Sequence, residues 1–282
     1  MEVSILKKII AQKEEEVNLL RQVAFKEVRQ PPRGFVATLN SAPYPAIIAE
    51  IKARSPSKGI IRENFNALEI ASSYYQHGCR TFSVLTDKQF FGGDLNYLTE
   101  IREHCSDARL LRKDFIIDSL QLEESVVAGA DAVLLIINAL TLPNLTSLLK
   151  EALALGLDIL LEGHTAQDFL KITSILESTI DHYDVGKRIL MGINNRDLNT
   201  FQVDLVNTQN VIRSLQADPS WNKLIVQHNL KFISESGINS PKDMLSLSDF
   251  GAAGFLIGET FMKSPDPGKL YLDFCNYEIT KK

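Results

Sequence analysis

The sequence predicts an α/β chain closed into a (β/α)8 TIM barrel behind an amino-terminal helical extension. Three observations point there. Eight short β-branched or aliphatic runs recur, at 47–52, 81–86, 109–113, 132–137, 158–162, 189–194, 231–236 and 254–258. Helical patterns fill the intervals, at 67–77, 95–104, 119–128, 142–155, 166–176 and 206–215. Polar residues collect at the carboxyl ends of the runs. Strands alternating with helices pair in parallel through right-handed crossovers. Eight such units in 282 residues favour the closed barrel over an open doubly wound sheet, and no G-x-G-x-x-G follows the first run. No spacer rich in Gly, Pro or Ser interrupts the repeat, so one barrel is expected over 47–282, with residues 1–46 as an extension packed on it.

The extension begins with Ile5, Ile9, Ile10, Val17, Leu20 and Val23 at roughly helical intervals between lysines and glutamates. An amphipathic helix over about 3–25 is expected to lie on the barrel, either as a packing appendage or as a cover over its open end. Pro31-Pro32-Arg33-Gly34 breaks the chain, and 35–39 is a short apolar segment before the first strand.

In the first strand, alternation puts Ile47, Ala49 and Ile51 on one face and Ile48, Glu50 and Lys52 on the other. One face is wholly apolar, whereas the other ends in an ion pair that runs into Ser55-Pro56-Ser57-Lys58-Gly59. A surface salt bridge on an edge strand would have the same sequence, but such pairs contribute little. At the carboxyl end of a barrel strand the pair would face the ligand-binding mouth.

The composition is globular, with 45% hydrophobic and 23% charged residues. A net charge of -5 without a basic block argues against a nucleic-acid partner. No run is long and apolar enough to predict a membrane span. Lys7, Lys8, Lys13 and Glu14-Glu15-Glu16 stand where a signal peptide would be apolar, so a cytoplasmic protein is expected. Cys79, Cys105 and Cys275 are odd in number and lack metal spacing, which fits reduced thiols. The five histidines form no HxxxH or HxH pair, so no metal site is expected, and the sequence allows a monomer.

Strand three brings Lys113 to its end in phase with Leu111, and strand five puts Glu162 in phase with Leu160. Strand six finishes at Asn194 and Arg196, and strand seven at Glu235 and Ser236. Lysine can protonate an oxygen that is gaining negative charge or form an imine, and an opposed carboxylate can take a proton. His164 is either the next inward residue or already in a loop. Ser236-Gly237 and Gly258-Glu259 offer backbone N–H groups ahead of helices, at the usual phosphate seat of this fold. With Ser55 and Lys52 across the mouth, they point to a phosphorylated small-molecule substrate.

The stretches IIAEIKARSPSKGIIRENF, SVLTDKQFFGGDLNYL, LLRKDFIID, LLEGHT, GINNRDLNTFQVDL, ISESGI and GFLIGETFMKSPDPG resemble, in order, those of the indole-3-glycerol-phosphate synthase family. The resemblance runs from about residue 30 to 270 and includes an extension over the barrel mouth. It implies a carboxy-lyase of tryptophan biosynthesis that needs no cofactor. Its substrate would be 1-(2-carboxyphenylamino)-1-deoxyribulose 5-phosphate, converted into indole-3-glycerol phosphate, carbon dioxide and water.

Carried over residue by residue, the resemblance makes Lys113 the general acid of ring closure and Glu162 the base or base partner of the later proton loss. Lys52, paired with Glu50, would hold the substrate carboxylate and assist loss of the hydroxyl. Asn194, Arg196, Glu235 and Ser236 would form the rim around the sugar. Ser55, Gly237, Gly258 and Glu259 would bind phosphate, while Phe91, Phe115 and Leu198 would pack the aromatic ring. One residue departs from the pattern. Gly163 follows Glu162 where the family more often has valine, and a loosened strand end with activity below the family norm is expected. Two other readings suit the same strand ends: a related sugar-phosphate barrel isomerase or aldolase, and a non-catalytic phosphate-binding descendant.

Overall fold

The structure is a computed structural model that describes residues 4–23, 30–42, 45–197 and 200–277. Its centre is a closed barrel of eight parallel strands: β1 (Ala46–Ile51), β2 (Thr81–Leu85), β3 (Arg109–Lys113), β4 (Ala132–Ile136), β5 (Asp158–Gly163), β6 (Ile189–Asn194), β7 (Lys231–Glu235) and β8 (Ala252–Ile257). Neighbours in sequence are neighbours in space, and β1 closes the ring by pairing with β8 on one side and β2 on the other. Each expected strand is present, with ends shifted by no more than two residues.

Alternation within the strands builds two apolar layers. Ile47, Ala49 and Ile51 point outward into the core beneath the helices, whereas Ile48 joins Leu111, Leu160 and Leu190 inside the barrel. The outer layer buries the largest side chains, Trp221 and Tyr74 among them. Cys79 and Cys105 are buried in the same layer, and all three cysteines are free thiols.

The residues before β1 serve both ends of the barrel. Helix α1 (Ile5–Leu20) buries Ile9, Lys13 and Val17, and its first turns line the carboxyl-end mouth, so it is a cover. It is shorter than expected and leaves Val23 exposed beyond its end. The segment expected only to be apolar forms a second helix, α2 (Phe35–Ser41), which packs Phe35, Val36 and Leu39 into the inner layer. It closes the opposite end. The Val36 N–H donates to Asp158 at the start of β5, and Arg33 binds Asp131 just ahead of β4 at 2.9 Å.

The longer helices that escaped the sequence reading are Pro219–His228, Pro241–Ser248 and Pro267–Cys275. Each starts with proline behind a capping Asp218, Ser240 or Asp266 whose side chain accepts a backbone N–H. That pairing of cap and proline is a legible start signal. The helix expected over 166–176 is instead two, Ala166–Leu170 and Thr173–Ile180. The Thr173 hydroxyl donates to the Leu170 carbonyl and accepts from the Trp221 indole N–H, a local bond that competes with the helix ladder.

Candidate active site

Inward-facing positions at the strand ends converge on one cavity at the carboxyl-end mouth. Lys113 is its centre. Its Nζ lies 2.8 Å from Glu162 Oε2 and 2.6 Å from Glu235 Oε2, joining the ends of β3, β5 and β7. Asn194, at the end of β6, donates its amide to Glu162 Oε1 at 3.1 Å. Across the mouth Lys52 pairs with Glu50, as the spacing in β1 led one to expect.

Burial sharpens these charges. Desolvation opposes the Lys113 charge, but Glu162, Glu235 and Glu50 outweigh it and hold its pKa above the usual lysine value. Burial also works to raise the Glu162 pKa, yet Lys113 and the Asn194 amide keep it below the ordinary carboxylate value. Glu235 goes the other way. Burial, reinforced by the neighbouring Glu162 and only partly offset by Lys113, pushes it up to about 8. At neutral pH Lys113 is therefore a cation beside one carboxylate, Glu162, and one protonated carboxyl, Glu235, so that like groups are held in opposite protonation states.

Two glycines make room for this set. A Cβ on Gly192 would overlap the Glu235 carboxyl, and one on Gly258 would overlap that of Glu50. Both carboxyls lie against bare backbone of a neighbouring strand or strand end.

Phe91 and Phe115 form the aromatic wall, with ring centroids 6.0 Å apart. The other side is polar. Ser55 belongs to a small hairpin of Arg54–Ser55 with Gly59–Ile60 that follows β1. Ser236 and Gly237 take the left-handed conformation in succession, at φ 68 and 83. That is uncommon for serine, and it turns the chain abruptly beyond Glu235. Their N–H groups belong to a loop, because the next helix begins only at Pro241. Gly258, by contrast, directly caps the short helix Glu259–Met262. The Glu259 carboxylate stands between Arg196 at 3.5 Å and Lys263 at 2.6 Å.

All the site residues named from sequence line this cavity except Leu198, which lies outside the described residues. His164 does not line it. The histidine sits in the loop after β5, where its Nδ1 is 2.7 Å from the Asn194 carbonyl, and Asn207 donates to the carbonyls of both. Sequence reasoning missed the apolar lining from Ile5, Leu6 and Ile9 of α1 and from Leu134, Ile136 and Leu256 of the barrel. Inward phase could have found the last three.

Gly163 lies on the outward side of β5, where a Cβ would come within 2.9 Å of the Phe169 ring. That ring fills the space, and Gly163 is buried.

The sequence model of the family described as Indole-3-glycerol phosphate synthase matches residues 6–272. A protein of that name from Albidiferax ferrireducens is 41% identical over 274 residues, covering 94% of this chain and 95% of its own. Another from Dechloromonas aromatica is 40% identical, covering 94% and 96%. Among solved structures, orotidine 5'-phosphate decarboxylase from Pyrococcus horikoshii superposes with a TM-score of 0.54 at 11% identity, covering 82% of this chain and 97% of that one. The last likeness is one of fold alone.

Proposed function

The chain belongs to the indole-3-glycerol phosphate synthase family, and from that premise we propose how its mouth carries out the reaction. The activity is ring closure, decarboxylation and dehydration of 1-(2-carboxyphenylamino)-1-deoxyribulose 5-phosphate to indole-3-glycerol phosphate. The aromatic carbon that bears the carboxylate attacks the ketose carbonyl, and Lys113 gives its proton to the carbonyl oxygen as the new bond forms. Carbon dioxide then leaves with its bonding electrons returned to the ring. The hydroxyl departs as water with a proton from Lys113 or Lys52, and Glu162 takes the proton whose loss completes the indole. Two protons are given and one is taken back, so each turnover draws one proton from solvent, matching the loss of the substrate carboxylate's charge as neutral carbon dioxide, and returns the site to its starting state.

The observation that carries this reading is the 2.8 Å pair of Lys113 and Glu162, an acid and a base side by side in the mouth. Preorganised charges in a largely buried mouth hold developing charge without solvent reorganisation. Phe91 and Phe115 flank the substrate ring together with Leu198. Lys52, steadied by Glu50, faces the substrate carboxylate. Asn194, Arg196, Glu235 and Ser236 edge the sugar, and Ser55, Gly237, Gly258 and Glu259 take the phosphate, the glycines and Glu259 through their backbone.

Residues 1–46 act as an extension of the barrel 47–282, and the protein works in the cytoplasm on a free metabolite. Among the described residues no helix is long and apolar enough to cross a membrane. Incubation of the purified protein with the carboxyphenylamino substrate should yield indole fluorescence and one carbon dioxide per product. Tight substrate binding without carbon dioxide release would instead identify a non-catalytic descendant.

A further inference from the structure

Lys13 is the anomaly of α1. It occupies the middle of the helix's buried stripe, between Ile9 and Val17, and is only 1% exposed. Lysine is rarely buried without partners. Here its Nζ meets Asp87 at 2.9 Å, Asp114 at 2.8 Å and Glu16 at 2.8 Å. Burial works against the charge, yet Asp114 and Asp87 outweigh it and keep the lysine protonated. Asp114 is further held by Arg112 and the Thr86 hydroxyl.

The two aspartates join α1 to the aromatic wall. Asp87 accepts the N–H of Phe90 at 2.7 Å and of Phe91 at 3.0 Å through its Oδ1, leaving Oδ2 for Lys13. Asp114 accepts the Phe115 N–H at 2.8 Å through Oδ1, the oxygen that also meets Lys13, and it directly follows Lys113 in the chain. One ammonium thus ties the backbones of Phe91 and Phe115 to the helix that supplies Ile5, Leu6 and Ile9 to the same cavity.

We propose that Lys13 is a positioning residue: its buried ammonium latches α1 onto the loops after β2 and β3 and so sets the apolar wall that receives the substrate's carboxyphenyl ring. The inference rests on the proposed reaction, since that reaction places an aromatic ring there. The phosphate-binding loops after β7 and β8 lie outside the latch. Loss of Lys13 should therefore weaken the ring contact and leave the phosphate contact alone.

The test compares wild type, Lys13→Met and Lys13→Met/Asp87→Asn. The double variant removes the carboxylate that Lys13→Met would leave buried without a cation, and asparagine still caps the following turn. The expected result is a KM raised about tenfold with kcat within about threefold, as when binding common to ground and transition states is lost. Competitive inhibition by inorganic phosphate stays at the wild-type value. Hydrogen exchange across 5–20 accelerates while the barrel strands keep their protection, a readout that needs no turnover. An unchanged KM, unchanged exchange in α1, or phosphate inhibition weakened together with KM would overturn the latch. Failure of the wild type itself to make the indole product would count against the proposed reaction, and the exchange measurement would still judge the latch.

Discussion

Lys113 Nζ lies 2.6 Å from Glu235 Oε2, yet the Glu235 pKa is pushed up to about 8, because burial and the nearby Glu162 outweigh the attraction of the lysine. A carboxyl that stays protonated in the fold while it ionises in the unfolded chain makes stability depend on pH. Its contribution is fully present below the ordinary value of 4.5 and is lost as pH rises to about 8. Glu162, held below its ordinary value, contributes in the opposite sense and loses stability only at more acid pH. The Glu235→Gln variant cannot ionise and should gain on the wild type between pH 5 and 8. Urea midpoints at both ends of that range check this, and a constant or shrinking difference would contradict the protonated Glu235.

Glu162→Gln keeps the shape of the site but removes the base. Turnover should drop by about 10²-fold or more. If Glu162 acts after decarboxylation, as proposed, carbon dioxide should appear ahead of indole fluorescence in a rapid-mixing experiment. Simultaneous appearance of both, at the reduced rate, would move Glu162 to the first step.

The glycines behind the carboxyls allow a test that touches no charged residue. Gly258→Ala should displace Glu50, and with it Lys52, while Gly192→Ala should displace Glu235. A small misplacement of a reacting group can cost about 10²-fold. A loss of kcat/KM of at least about tenfold is expected for each, with folded circular dichroism retained. Wild-type kinetics in both would show that the carboxyl positions are not critical.

Gly163→Val should destabilise this protein. The Phe169 ring occupies the space, and overpacking of this kind costs about 1–3 kcal/mol. A lower urea midpoint in the variant is the expected pattern, with Gly163→Val/Phe169→Ala less destabilised than the sum of the two single variants. An unchanged or higher midpoint in the single variant would show that Phe169 can move aside.

The repeat of strand and helix made the barrel legible, because period-two alternation at β1 and the in-phase ends of β3 and β5 need only local sequence. The same alternation brought Glu50, Lys52, Lys113 and Glu162 to one face. What escaped was set by packing across the chain. Phe35–Ser41 is helical because its apolar side plugs the barrel floor, which seven residues of sequence cannot reveal. The burial of Lys13 was not legible, since its partners Asp87 and Asp114 lie far along the chain. Gly163 read as a weak point because Phe169, six residues on, is brought back over it only by the turn between them.

Single-turnover mixing of Lys113→Ala with 1-(2-carboxyphenylamino)-1-deoxyribulose 5-phosphate tests the central claim most directly. If Lys113 is the proton donor for ring closure, carbon dioxide release and indole fluorescence should both slow by about 10²-fold or more, with substrate still bound. Release of carbon dioxide at the wild-type rate would place the proton donor elsewhere in the mouth.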